Sequence, residues 1–315
     1  MTLRIGLILL TAFLMQCGKN PSSEAIYQEP VPTELQTAEQ FHGGNAMYHS
    51  ARLTKMGDRS PASPGFRQQL NYLKDQLARS GWTCREQAFE TMTPRGLVRF
   101  INLRARFGAQ PDFSTPVTGL LTCHIDTKTG IPGFTGANDG ASGAAAILET
   151  ARILSRDTGR AEQMELVFFD GEESFGEHMD DEDGLYGSKY YADSLKNPLP
   201  AWMINLDMVG RQGKKIRIPS TTPQYLYQAY MQAVHDLGYS LAEWGVSGYG
   251  VIDDHVPFME RGMATLNMID DFQDGHWWHT AGDNMGILGA ESFKHTGEMT
   301  LNIIRRLIPA GPPNR

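Results

Sequence analysis

The chain has 315 residues, 41% of them apolar, and a net charge of −8 with no long run of either sign. That length holds one large domain or two small ones, and the composition is globular in character. No basic patch stands out, which excludes nucleic acid as an expected partner, and the acidic balance favours solubility while saying little about fold.

The first 17 residues stand apart. Arg4 precedes an apolar stretch from Ile5 to Met15, too short to span a bilayer at roughly eleven residues and suited to the hydrophobic region of a secretory signal. Leu14-Met15-Gln16-Cys17 is similar to a bacterial lipobox in which Cys17 becomes the lipidated first residue, although a residue smaller than Gln16 is usual there. Ordinary signal cleavage nearby is the alternative. Either way the expectation is an exported protein of the periplasm or cell envelope, meeting the membrane only through a lipid on Cys17. Residues 18–40 are polar, carry Pro21, Pro30 and Pro32, and read as a tether. Residues 41–309 read as a single catalytic domain, and residues 310–315 as a tail.

Helices and strands alternate after the tether. Ser63-Pro64 is a cap followed by proline, and Phe66, Leu70, Leu73 and Leu77 continue at helical spacing until Gly81. Strands are predicted over Trp82–Phe89 and Phe100–Phe107, around a turn at Thr93-Pro94-Arg95-Gly96. The next strand runs through Leu120-Leu121-Thr122-Cys123 to His124. A glycine-rich loop over residues 127–138 leads to Asp139, which opens a helix aligned on Ala144, Ile147, Leu148, Ala151 and Leu154. Small residues from Gly140 to Gly143 allow close packing there, and Asp139 has its charge at a helix N-terminus. Leu166-Val167-Phe168-Phe169 is a strand ending in Asp170-Gly171-Glu172-Glu173. Ser174 to Gly184 is a long acidic loop, and Ile204-Asn205-Leu206 is a strand ending in Asp207. Helices are predicted from Pro223 to Leu237 and from Glu291 to Leu307, and Trp244 to Asp253 is a glycine-rich loop. There is no repeat and no sign of a second domain. The fold class is α/β: a three-layer α/β/α sandwich around a mainly parallel mixed sheet.

Open α/β sheets place their chemistry at the carboxyl ends of their strands, and there this sequence offers His124, Glu173 and Asp207, with Asp139 and His279 on adjoining loops. Singly, an aspartate at a strand end is a turn residue and a lone histidine is hydrogen-bonded structure. Together they match the His, Asp and Glu donors of catalytic zinc, which takes about three protein ligands and keeps a position open. Glu172 and Glu173 are adjacent carboxylates whose repulsion a cation would offset. One can ligate while the other serves as general base. Cys84 and Cys123 are permitted a disulfide by an oxidising compartment, but spacing alone leaves paired and free thiols equally open.

His124-Ile125-Asp126, Gly136-Ala137-Asn138-Asp139-Gly140-Ala141-Ser142-Gly143, Phe169-Asp170-Gly171-Glu172-Glu173, Leu206-Asp207-Met208 and His279-Thr280 together resemble the zinc aminopeptidase (M28-like) superfamily. Within it, several stretches are more similar to animal-type glutaminyl-peptide cyclotransferases, the glutaminyl cyclases. These are Phe89-Glu90-Thr91-Met92-Thr93-Pro94-Arg95-Gly96 with Phe100 and Asn102, Leu185-Tyr186-Gly187-Ser188, Asp253-Asp254-His255-Val256-Pro257-Phe258, and Trp278-His279-Thr280 with Asp283-Asn284. Asp253 is the most discriminating, because aminopeptidases of the superfamily typically carry serine there. The similarity covers the chain from about Ser60 to Leu307.

The resemblance implies one zinc held by Asp139, Glu173 and His279, with Glu172 as general acid/base. It implies Asp207 and Asp253 beside Glu172 in a hydrogen-bonded carboxylate cluster, and Trp278, Val251 and Ile252 as substrate-binding residues. A proton shared among the three acids, titrating as a coupled set, is the expectation for how they coexist. The implied substrates are peptides or proteins with N-terminal glutamine, cyclised to pyroglutamate with loss of ammonia. Two departures accompany it. His178 stands where animal cyclases carry a tryptophan, which leaves a pocket wall to Trp277 or Phe272. Alanine in the Ala144 region replaces the cysteine that pairs in those enzymes, so their disulfide is not expected. Asn138-Asp139-Gly140-Ala141-Ser142-Gly143 follows the aminopeptidase wording, and His124 with Asp207 would complete a two-zinc site. The alternative reading is therefore a di-zinc aminopeptidase, and a non-catalytic binding protein on the same scaffold is the third.

Overall fold

The computed structural model describes residues 29–180, 182–272 and 275–309. The signal reading of residues 1–17, with Cys17, lies outside them. The first helix, α1 (Gly43–Thr54), is absent from the sequence reading because it opens on two glycines after His42, which makes no side-chain cap. Helix α2 (Pro64–Arg79) starts as predicted: the Ser63 hydroxyl oxygen accepts the Phe66 N–H at 3.0 Å, Pro64 stands in the first turn, and Phe66, Leu70, Leu73 and Leu77 are buried. Gly81, at φ +80°, ends it in the left-handed conformation.

Strands β1 (Trp82–Thr93) and β2 (Gly96–Phe107) pair from Trp82↔Phe107 out to Thr93↔Gly96. They run past the predicted limits because pairing continues where burial stops: Met92 and Leu97 are exposed and give no core signal. Then follow β3 (Gly119–His124), α3 (Ala141–Leu154), α4 (Thr158–Ala161), β4 (Met164–Phe169), α5 (Tyr186–Ser194), β5 (Trp202–Asp207), β6 (Ile216–Pro219), α6 (Gln224–Asp236), β7 (Trp244–Ser247), α7 (Val256–Glu260), β8 (Ala264–Asp270) and α8 (Ala290–Leu307). The start of the expected glycine-rich loop Trp244–Asp253 is thus the short strand β7, whose four residues hold too little alternation to register. Helix α5 was hidden because it opens on Leu185 in the left-handed region, with no capping side chain.

The eight strands lie in the order β1-β2-β4-β3-β5-β8-β6-β7. β4, β3, β5 and β8 run parallel, β6 pairs parallel with β7, and the contacts β1–β2, β2–β4 and β6–β8 are antiparallel. Every residue of β3, β4 and β5 is buried, as expected of strands covered on both faces. Helices α1, α2, α3, α6 and α8 pack together over one face, around a large core that includes Leu121, Ile204 and Leu266. Helices α5 and α7 meet over the other, where Leu120, Val167, Phe169 and Met203 pack with Tyr191 and Phe258. The architecture is the three-layer α/β/α arrangement around a mainly parallel mixed sheet. Cys84 and Cys123 are free thiols on β1 and β3, with β2 and β4 between those strands. Among the described residues no helix is long and apolar enough to cross a membrane.

Gly143 locks the first turn of α3 against the sheet: a Cβ there would lie 2.4 Å from the Leu206 carbonyl oxygen and 2.8 Å from the Cys123 Cβ. The obstacle is backbone and cannot rotate away. Gly143→Ala is expected to cost ~1–3 kcal/mol, the usual cost of overpacking, read as a fall in the urea midpoint. A variant as stable as the parent would show that α3 has room to move off β5.

Candidate metal centre and cleft

Three parallel strands deliver acidic or imidazole side chains to one edge of the sheet. β3 ends in His124. β4 ends at Phe169 and turns through Asp170 and Gly171, the latter at φ +72°, to present Glu172 and Glu173. β5 ends in Asp207, followed by Met208 at φ +52°. The loop after β3 brings Asp139 to the start of α3, and the loop after β8 brings His279, itself at φ +50°. Left-handed backbone at a side-chain-bearing residue costs energy that the surroundings must supply. Among the described residues, two of the four non-glycine residues in this conformation are a ligand candidate and the neighbour of another, which directs attention to this edge.

The candidates converge in two groups that share Asp139. His279 Nε2 lies 3.2 Å from Glu173 Oε1 and 3.3 Å from Asp139 Oδ2. His124 Nε2 lies 3.1 Å from Asp139 Oδ1 and 3.2 Å from Asp207 Oδ1. Asp139 thus turns one oxygen to each group. Its Oδ2 is buried without a good hydrogen bond, the 3.3 Å approach of His279 being poorly aligned. An orphaned carboxylate oxygen among two imidazoles and two further carboxylates is a donor set suited to a divalent cation. Glu172 belongs to neither group.

Two carboxylates quoted in the motifs but given no role there, Asp126 and Asp283, hold this edge in shape. Asp126 accepts the backbone N–H groups of Glu172 at 3.1 Å and Glu173 at 3.2 Å, and lies 3.6 Å from His124 Nδ1. It therefore aims both glutamates and backs the imidazole from behind, as outer partners of metal ligands do. Asp283 accepts the N–H groups of Asn138 and Asp139 at 2.7 and 3.0 Å. Asn138 in turn accepts the Gly210 N–H, tying the Asp139 turn to the chain just beyond Asp207. A buried aspartate two residues after a strand-end histidine was the available signal for Asp126.

Burial and like charges push the cluster away from ordinary ionisation. Glu172 is driven well above the usual glutamate range by burial, with Glu173, Asp254 and Asp253 adding to it and His124 opposing. Asp207 is raised to about 7, by burial first, with His124 opposing and Asp253 adding to it. Burial raises Glu173 too, reinforced by Asp139 and opposed by His279. Asp139 goes the other way: burial would raise it, but His124 and His279 hold it below the ordinary range. His279 reaches about 10, because the carboxylates of Asp139 and Glu173 outweigh its burial.

A cleft of about 280 Å³ opens onto these groups. Asp139, Glu172, Glu173, Asp207 and His279 form its floor, and Trp278, Val251, Ile252, Phe272, Tyr249 and His178 line it. Trp278 stacks on the His279 ring at 4.0 Å and meets Phe272 at 4.7 Å. Of the two aromatics expected to replace the missing tryptophan, Phe272 faces the cleft. Trp277 instead packs with Met208 and Ile269 under the Arg211 guanidinium, 5.4 Å from its ring centre. Asp253 lies behind the floor, almost fully buried. Its oxygens accept from the side-chain amides of Asn205 at 3.0 Å and Asn267 at 2.8 Å and from the Asp254 N–H. Two asparagines, rather than Glu172 or Asp207, therefore hold it in place.

Residues 103–304 match the family model described as peptidase family M28. The chain is similar to the glutaminyl-peptide cyclotransferase of Boiga dendrophila, 30% identical over 281 residues, covering 76% of this chain and 75% of that protein. The structure is similar to that of the Porphyromonas gingivalis glutaminyl cyclase, with TM-score 0.76, 28% identity, and coverage of 86% of this chain and 100% of that one. A zinc-dependent exopeptidase from Parabacteroides distasonis shares the fold at TM-score 0.74 and 23% identity, covering 87% of this chain and 99% of that one.

Proposed function

Because the chain belongs to peptidase family M28 and, within it, to the glutaminyl-peptide cyclotransferases, we propose a mechanism in which Glu172 carries the protons and Asp139, Glu173 and His279 hold the metal. The enzyme converts N-terminal glutamine of peptides and proteins to pyroglutamate and releases ammonia. The observation that carries the mechanism is the standing of Glu172: on the cleft floor, outside both ligand groups, and pushed by burial well above the usual glutamate range.

Asp139, Glu173 and His279 would hold a zinc ion, which when bound would supply Lewis acidity toward the substrate carboxamide. Glu172 takes a proton from the α-amine as its nitrogen attacks the side-chain carbonyl carbon, and returns a proton to the nitrogen that departs as ammonia. One carbon–nitrogen bond forms, one breaks, and no water is consumed. The attack is intramolecular, so much of the gain comes from holding the glutamine folded. Trp278, Phe272, Val251 and Ile252 provide the walls for that. In this reading burial keeps Glu172 basic, with Glu173, Asp254 and Asp253 adding to it, and Asp207 stands beside it on the cleft floor. A zinc count of one is our reading. A second ion at His124, Asp139 and Asp207 is favoured by the convergence of those three donors and would go with aminopeptidase chemistry.

The test is a mass measurement on a Gln-initiated peptide. Loss of ammonia's mass with no free amino acid is the expected outcome, while released residues would overturn it in favour of the aminopeptidase. Metal analysis beside it should give about one zinc per chain, as the single-metal reading requires.

Zinc binding is also expected to release protons. Without metal, His279 at about 10 is protonated at neutral pH, and a ligand imidazole must be neutral. Binding therefore expels about one proton or more, and apparent affinity weakens as pH falls. Calorimetry in buffers of different ionisation enthalpy reads the number directly. Binding that is insensitive to buffer would show that His279 does not ligate.

We also propose that the protein is exported and anchored through Cys17. Arg4, the apolar stretch to Met15 and the lipobox-like end support this. A lipid-sized mass increase on Cys17 that is lost in Cys17→Ala is the expected result.

A further inference from the structure

Alternation and register stack three rows of side chains on the α5–α7 face of the sheet. Leu120, Thr122 and His124 point that way from β3, Met203, Asn205 and Asp207 from β5, and Thr265, Asn267 and Ile269 from β8. The pairings Leu120↔Met203↔Thr265, Thr122↔Asn205↔Asn267 and Asp207↔Ile269 align them across the strands. The lowest row belongs to the core between sheet and helices, where Leu120 and Met203 pack. The uppermost carries His124 and Asp207. Between them runs a wholly buried polar row, Thr122, Asn205 and Asn267.

Burying three polar side chains inside a sheet is costly unless each finds partners. Here they do, in one direction. The Thr122 hydroxyl donates to Asn205 Oδ1 at 2.8 Å. Asn205 Nδ2 donates to Asn267 Oδ1 at 3.1 Å and to Asp253 Oδ1 at 3.0 Å. Asn267 Nδ2 donates to Asp253 Oδ2 at 2.8 Å. Each asparagine spends its side-chain oxygen on the neighbour before it and an N–H on Asp253. The row ends on a single carboxylate, gripped through both oxygens. That carboxylate lies within electrostatic reach of Glu172 and Asp207.

We propose that Asn205 and Asn267, oriented by Thr122, form a clamp that positions Asp253 beneath the cleft floor, and that this positioning is required for the cyclisation step rather than for holding substrate or metal. The inference rests on the reading of Asp253 given above. Both asparagines are positioning residues acting through Asp253, and neither lines the cleft.

The test is a pair of double-variant comparisons on a Gln-initiated peptide, with zinc content and melting temperature measured for each protein. Asn267→Ala alone is expected to lower kcat by about 10- to 100-fold, the scale of a misplaced active-site group. KM should stay within about twofold and zinc content should match the parent, since the effect is on orientation alone. In an Asp253→Ala background the same substitution should change kcat by less than about twofold, because the clamp has nothing left to hold. An equal loss in both backgrounds would mean a structural role and overturn the clamp, as would an Asn267→Ala enzyme of parental kcat. Asn205→Ala gives the same readings where Asn267→Ala does not fold. Asp253→Ala at the parental rate would instead sink the underlying reading of Asp253, a result separable from failure of the clamp.

Discussion

Glu172→Gln is expected to lower kcat for pyroglutamate formation by about 10²- to 10⁴-fold, the range of a lost general acid/base, with zinc content unchanged. Glutamine has nearly the shape of glutamate, so the cleft keeps its form. The position is anchored through its backbone N–H to Asp126, which the substitution leaves in place. Glu172 is outside both ligand groups, so the metal should stay. What disappears is the carboxylate that accepts a proton from the amine and passes one to ammonia. A glutamate in water is too weak a base for this near neutrality. Burial, reinforced by Glu173, Asp254 and Asp253, raises this one well above the ordinary range. Steady-state kinetics with a Gln-initiated peptide decides the matter: a variant within a few-fold of the parent, still loaded with metal, would remove Glu172 from the reaction.

Removal of zinc is expected to lower the rate by at least about 10³-fold, since Lewis-acid stabilisation is worth several kcal/mol, and adding zinc back should restore it. Asp139→Ala should do the same irreversibly, because Asp139 gives one oxygen to each ligand group and its loss breaks both. His124→Ala separates the two stoichiometries. With a single zinc on Asp139, Glu173 and His279, that variant retains about as much metal as the parent. With two, it loses one. Full activity after exhaustive chelation, checked by metal analysis, would show that the metal takes no part in the chemistry.

Much of this site was legible because its chemistry is written at strand ends. Runs such as Leu166-Val167-Phe168-Phe169 followed by Asp170-Gly171-Glu172-Glu173 announce a buried strand and its functional terminus together. His124, Glu173 and Asp207 stand at such places, with Asp139 and His279 on adjoining loops; the choice of Asp139, Glu173 and His279 as one ligand set rested on resemblance. The cleft walls Trp278, Val251 and Ile252 rested on resemblance, and the structure puts all three on the cleft. Less visible were elements whose stability is borrowed from neighbours. Helix α1 opens without a side-chain cap, β7 is four residues long, and α5 starts on a left-handed leucine. None carries a local signal strong enough to declare it.

Local sequence by itself marked β3, β4 and β5 as strands buried on both faces, where each ends, and which ionisable groups stand at those ends; β8, buried beside them, went unread. Apolar runs and strand-end carboxylates are properties of consecutive residues. Only the tertiary structure decided which of those groups meet. It made Asp139 the shared member of two ligand groups, turned Phe272 to the cleft and Trp277 away, and joined Asn205 on one strand to Asn267 on the next beneath Asp253. Those outcomes follow from strand order and register, which bring residues distant in the chain within hydrogen-bonding distance, and neither can be read from the residues on a single strand.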